Sequence, residues 1–324
     1  MKRRTLIGGI AAVFAVAAAP AAFGQPFPTK PVTLIVPFAA GGTTDIIARV
    51  VSAKITPHLG QTMVVENKGG GGGVIGATLV AQTAPNGYIL GGATVSTVAT
   101  VPALNPKTPY NPLTDFTPII NMAATPNVIS VHPSFPARDY KTFLEEIKKN
   151  PDKYAYASTG TGAITHMQME LFKNLTGARI THVPYRGAGP ALQDVVAGNV
   201  PIILDNLPSS LPFIKEGKLI PIVVASPERS KALPNVPTFK EVGLEPANRV
   251  AWYGIVGPKG LPKDIVDKVH KSVKETLNDP EVRKRIEDTG SIIVANTPEQ
   301  FAQQIKEEFE VYKRVTAEQK LKPE

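Results

Sequence analysis

Short apolar runs rich in β-branched residues alternate with segments of helical period along almost the whole chain, and this alternation restricts the fold more than any other feature. Val32 to Val36 reads as a buried strand. Thr43 to Leu59 reads as a helix, with Ile46, Ile47, Val50, Val51 and Ile55 at helical spacing and Gly60 to end it. Met63 to Val65 is the next strand, Val74 to Gln82 the next helix, and the Asn86-Gly87 turn leads into a strand at Tyr88 to Leu90. The order βαβαβ implies a parallel sheet covered by helices.

Two proline-rich connectors interrupt the pattern, Asn105 to Pro118 and Pro227 to Pro246. Between them the alternation restarts: a strand at Val128 to Val131, helices at Tyr140 to Lys149, Ile164 to Leu175 and Pro190 to Ala197, and strands at Tyr154 to Ala157, Arg179 to Val183, Pro201 to Leu204 and Leu219 to Val224. After the second connector come a strand at Val250 to Val256, a long helix after Pro262, a short strand at Ser291 to Val294 and a final amphipathic helix capped by Thr297. The expected architecture is α/β: two lobes, with the chain crossing twice between them, near Pro126 and near Pro227. Residues 25–125 and 227–324 then form one lobe and residues 126–226 the other. A cleft between lobes is a preferred place for a ligand.

The first 24 residues are expected to be an export signal rather than part of the fold. Lys2, Arg3 and Arg4 precede an alanine-rich apolar run broken by Pro20, with small residues near Gly24 for cleavage. An uncleaved anchor fits such an interrupted run less well, and Arg3-Arg4 leaves a twin-arginine route open. The chain has no cysteine, which excludes disulfides, thiolate metal sites, a cysteine nucleophile and a lipid anchor on cysteine. The formal charge is +8, of which the first segment supplies three, and such an excess favours anionic ligands. Basic residues are scattered apart from Arg283-Lys284-Arg285, which has acids on both sides and no aromatic stripe, so nucleic acid is not an expected partner.

Three strand-to-helix loops carry the candidate chemistry. In Phe38, Ala39, Gly41, Gly42, Thr43, Thr44 and Asp45, the glycines allow close approach and the helix start offers free N–H groups to an anion. Asp45 is itself an anion there, and either caps its own helix or meets the ligand. Ser158, Thr159, Gly160, Thr161, Gly162 and Ala163 repeat the composition ahead of the second helix, with His166 lining or supporting the loop; ordinary loop chemistry favours the same residues. In the third, Tyr185 offers an aromatic wall and Arg186 can pair with a carboxylate at two points, or the segment is a surface turn. Asp205, with Asn206, ends a strand at the edge where open sheets bind ligands. Two such helix starts facing across a cleft suit a small carboxylate.

Other chemistries find little support. The Gly71 to Gly76 stretch matches a dinucleotide-binding spacing, but no Asp or Glu occurs between Glu66 and Asp115 to hold a ribose. The five histidines lack metal spacing and no nucleophile motif is present, so neither cofactor, metal nor catalysis is expected.

These loops, in this order, resemble the Bug family, the extracytoplasmic solute receptors of tripartite tricarboxylate transporters. The resemblance rests on Pro31-Val-Thr-Leu-Ile-Val-Pro-Phe-Ala-Ala-Gly-Gly-Thr-Thr-Asp45 with Ala48-Arg49, Val65-Glu-Asn67 and Ala84-Pro-Asn-Gly-Tyr88. It continues with Tyr156-Ala-Ser-Thr-Gly160 and His166, Val183-Pro-Tyr-Arg-Gly187, Pro234-Asn-Val-Pro-Thr238 and Trp252-Tyr-Gly254. It implies a type II periplasmic-binding-protein fold whose two lobes close on a carboxylate held by Phe38 to Asp45 and Ser158 to Ala163. The glycines from Gly69 depart from the family pattern, which has a proline there. The resemblance implies a monomeric periplasmic receptor that hands its ligand to membrane transporter subunits. A sensor subunit docking on a signalling protein is the alternative, and a periplasmic enzyme a more distant one.

Overall fold

The computed structural model describes residues 27–322, so the expected export signal lies outside the described residues. Eleven strands appear in chain order: β1 (Val32–Val36), β2 (Met63–Asn67), β3 (Ile89–Thr94), β4 (Phe116–Thr125), β5 (Asn127–Val131), β6 (Ala155–Ser158), β7 (Thr181–Pro184), β8 (Ile202–Asn206), β9 (Ile220–Ala225), β10 (Ala251–Pro258) and β11 (Ile292–Ile293). They form two sheets, ordered β11-β4-β10-β3-β1-β2 and β7-β6-β8-β5-β9. Each contains the same motif. A parallel trio (β2-β1-β3, and β7-β6-β8) is extended by the strand that has just crossed from the other lobe. That strand, β10 or β5, runs antiparallel to both its neighbours. Helical crossovers force the trio to be parallel, and the strand arriving from the other lobe enters in the opposite direction.

The first crossing is Pro126, the single residue between β4 and β5, as the sequence leads one to expect. The second lies further on than expected. Residues 227–248 stay with the second lobe: Leu233 and Val236 pack with Val128, Leu207 and Val224, and Phe239, Leu244 and Ala247 join the core beside Phe172. The chain returns to the first sheet only at Ala251. Proline content marked a connector there, but its apolar residues needed burial and found it on the nearer lobe. Asn127 ties the two crossings together by donating to the Arg249 carbonyl (3.1 Å) and to Gln168 (2.7 Å).

Some expected elements differ in extent, the helix from Thr43 to Leu59 among them, which breaks after Ser52 and resumes at Thr56, and two helical segments arise where the sequence marks none. β4 takes in the end of the expected connector, from Phe116 to Pro118. Residues 96–104 are helical despite their valines and threonines. Leu207–Lys215 is a helix despite Pro208 and Pro212. The long helix after Pro262 is two, Lys263–Asn278 and Pro280–Glu287, divided by an Asp279 side-chain cap before Pro280. In the C-terminal helix Pro298–Glu318, Thr297 is the cap expected from the sequence, and Gln300 completes it by accepting from the Thr297 backbone N–H. The lone Trp252 is core, edge-on to Phe301 at 5.3 Å.

Candidate functional site

The C-terminal ends of β1, β3, β6 and β8 all converge on the space between the lobes, the edge where open α/β sheets bind ligands. A small cavity of about 20 Å³ lies there. Among the described residues, no charged side chain lines it.

The first loop opens directly into it. Phe38, Gly42, Thr43 and Thr44 line the wall. The helix Thr43–Ser52 is N-capped by Gly42, which has no side chain to occupy the first N–H groups. Those donors, with the positive end of the helix dipole, point at whatever fills the cavity. Asp45 faces away from it. Its carboxylate accepts from Gly41 N–H (3.0 Å), Arg49 Nε (2.9 Å) and Asn67 Nδ2 (2.9 Å), and Asn67 also donates to the Phe38 carbonyl (3.0 Å). Burial opposes the charge, but these donors together hold the carboxyl below the usual carboxylate range. Asp45 therefore shapes the loop from behind. Ala39 is half-buried and donates its N–H to the Arg186 carbonyl across the cleft (3.0 Å).

The second loop has similar residues and a different accounting. Thr159 N–H goes to Thr165 Oγ1 (3.0 Å), Gly160 N–H to Ser158 Oγ (3.1 Å) and Gly162 N–H to His166 Nδ1 (3.0 Å). Ala163 N–H goes to the Gly160 carbonyl (3.1 Å), and Ile164 N–H crosses the cleft to Ser96 Oγ (3.0 Å). Ser158 Oγ is also 2.6 Å from His182 Nε2, and His182 stacks on His166 at 4.0 Å. His166 thus supports the loop and does not line the cavity. Of this loop's residues, Thr159 reaches the cavity wall.

Gly160, Thr161, Tyr185 and Arg186 line a separate outer groove. The Tyr185 hydroxyl donates to Asp194 (2.6 Å), and burial together with that carboxylate raises its pKa to about 12. Arg186 is exposed. Asp205 is fully buried beneath the cavity and accepts from Ser209 (2.6 Å) and Ser210 (2.8 Å). Burial raises its pKa to about 6, although the two serine hydroxyls and the Asn206 N–H pull the other way.

Several wall residues escaped the sequence reading: Thr94 at the end of β3, Val95 and Ser96 after it, and Ala251 and Tyr253 on β10. The parallel strand ending at Thr94 was a usable signal, since that edge of such a sheet is the functional one. Nothing local distinguishes Tyr253, which reads as core.

The lobes touch across the cleft. Thr43 Oγ1 lies 2.9 Å from Ser209 Oγ, and Thr100 Oγ1 donates to the Gly162 carbonyl (2.6 Å). At the rim the approach is backbone on backbone. A Cβ on Gly72 would stand 2.5 Å from the Thr161 carbonyl oxygen, and one on Gly189 would stand 2.2 Å from that of Ala40. The glycine run that mimics a dinucleotide motif is thus part of a seam along which the lobes meet.

Residues 47–321 match the family model of the tripartite tricarboxylate transporter family receptor. The chain belongs to that family. Over 319 residues it is 32% identical to Protein BugT of Bordetella pertussis, covering 98% of each chain. A solved periplasmic transporter is 50% identical, with a TM-score of 0.90 over 91% of this chain and 99% of that one. MatC from Rhodopseudomonas palustris with bound malate is 35% identical, with a TM-score of 0.86 over 89% and 99%. The fold is that of the solute receptors of this family, and they are receptors rather than enzymes. Among the described residues no helix is long and apolar enough to cross a membrane.

Proposed function

We propose that this receptor works in the periplasm, where it captures a small carboxylate and delivers it to the membrane subunits of a tripartite transporter. One observation carries the reading: an uncapped helix N-terminus at Gly42 opens into an interlobe cavity that holds no charge of its own. A carboxylate placed there meets backbone donors and a favourable dipole without a counter-charge that would slow its release. The malate held by MatC supports the ligand class. The residues assigned to contact are Phe38, Gly42, Thr43, Thr44 and Thr159, with Asp45, Ser158 and His166 shaping the two loops. The first 24 residues direct export and are removed near Gly24, and the receptor acts as a monomer.

Thermal unfolding over mono-, di-, tri- and aromatic carboxylates tests the reading. Ligand at about 100 times its dissociation constant should add roughly 2.7 kcal/mol. Ligand-free protein that no carboxylate stabilises would sink the proposal. N-terminal sequencing of the exported protein and light scattering test cleavage near Gly24 and the monomer.

A further inference from the structure

Tyr253 is the residue in the cavity wall with an unanswered hydrogen bond. It lies on β10, is 3% exposed, and its hydroxyl has no partner. The Thr43 hydroxyl lies close beside it and acts on the phenol, but makes its well-formed hydrogen bond to Ser209 (2.9 Å). Several other polar side chains of the wall already hold protein partners. Thr159 pairs with Thr165 (2.8 Å), Asn206 donates to Asn127, Ser96 accepts from Ile164 N–H, and Thr94 accepts from Thr97 N–H (3.3 Å). A buried hydroxyl without a well-formed partner is costly, and one that also lines a ligand cavity is placed to be completed by the ligand.

Burial, reinforced by the nearby Asp205 carboxylate, keeps the phenol protonated, so it stands ready as a donor at neutral pH. It also lies apart from the helix start at Gly42 in the chain, on the antiparallel strand that returns from the second lobe. We infer that Tyr253 is a selectivity residue, donating a hydrogen bond to a second acceptor oxygen on the ligand, apart from the carboxylate that the Gly42 helix start receives. This rests on the carboxylate-receptor reading and narrows it. The preferred ligands carry a hydroxyl, keto or further carboxylate oxygen besides the anchoring carboxylate, and a plain aliphatic acid is disfavoured because it leaves the phenol unpaired. Selectivity of this kind is sharp, since a wall group built to pair rejects an analogue that cannot pair with it.

Calorimetry on the ligand-free full receptor and on Tyr253→Phe, with three pairs of acids, tests the assignment: propionate with lactate, pentanoate with 4-oxopentanoate, and butyrate with succinate. In the parent, the member with the extra acceptor should bind at least about tenfold more tightly in one pair or more. In Tyr253→Phe that ratio should fall below about threefold, with the plain acid bound as before. Ligand-free Tyr253→Phe should unfold at the parent's temperature or slightly above, because the hydroxyl has no protein partner to lose. An unchanged ratio in the variant, no pair with a preference in the parent, or a marked drop in ligand-free stability would each overturn the assignment. If the parent binds none of the six acids nor any other carboxylate, the receptor reading fails with it, and that outcome is distinct from the other three.

Discussion

The two loops that face each other across the cleft are built from nearly the same residues, yet they hold opposite positions in the hydrogen-bond accounting. Phe38 to Asp45 leaves its helix start open, because Gly42 caps it without a side chain and the Asp45 carboxylate bonds Gly41, Arg49 and Asn67 instead. Ser158 to Ala163 spends N–H groups on Thr165, Ser158, His166 and Gly160, and the N–H of Ile164 just after it crosses the cleft to Ser96. The first loop is equipped to bind an anion. The second is equipped to hold a shape and close against the first. Composition did not separate them; the destination of each N–H did.

The largest expected effect comes from making the first loop like the second. Gly42→Asp fits sterically, since a Cβ there stands at ordinary contact with Ala188 (3.4 Å) and the backbone φ is −84°. Its carboxylate would cap the helix and take the donors meant for the ligand. Affinity should fall about a thousandfold, roughly 4 kcal/mol, with ligand-free stability undiminished. Near-parental binding in calorimetry would remove the asymmetry between the loops.

The contact that joins Thr43 to the second lobe hangs on Asp205 through Ser209. With its pKa at about 6, Asp205 in the folded protein holds a proton that the unfolded chain, near 3.9, has already released. Folded stability should therefore fall as pH rises from about 4 to about 6 and level off above, by on the order of 3 kcal/mol for this group alone. Asp205→Asn should gain on the parent across that window. Unfolding temperatures measured for both at pH 5 and pH 7.5 check the sign, and a parallel response in the two proteins contradicts it.

Gly72→Ala sharpens the closing role of the seam. The new methyl would meet the Thr161 carbonyl and hold the lobes apart without touching the cavity wall. Affinity should drop about thirtyfold, roughly 2 kcal/mol, and small-angle scattering with saturating ligand should show a less compact receptor. Compaction equal to the parent's would dismiss the seam.

The smallest effect is expected at Arg186. The sequence alone leaves this guanidinium a fair candidate for pairing with a carboxylate, but it sits exposed on the outer groove and only its carbonyl reaches the first loop. Arg186→Ala should weaken binding less than about threefold. A loss of tenfold or more would return it to the ligand.

By itself the sequence determined the lobes, the first crossing at Pro126 and the loops that meet in the cleft, because strand and helix periods, proline breaks and glycine-threonine loops are local signals read within a dozen residues. It also pointed to the family, since the motifs recur in order from Pro31 to Gly254. Tertiary structure decided the rest. The proline-rich segment 227–248 went to the second lobe because its Leu233, Val236 and Phe239 found apolar partners there, which no local pattern records. Leu207–Lys215 became a helix in spite of its prolines, with Leu207 and Leu211 buried against Val128 and Val224. Tyr253 became part of the cavity wall only when β10 was set between β3 and β4, since a tyrosine in an apolar strand has no local mark of whether its hydroxyl will meet protein or ligand. Which helix start stays open was likewise settled by side chains distant in the chain, Ser96 and Asn67 among them, for a hydrogen bond is fixed by where its partner comes to rest.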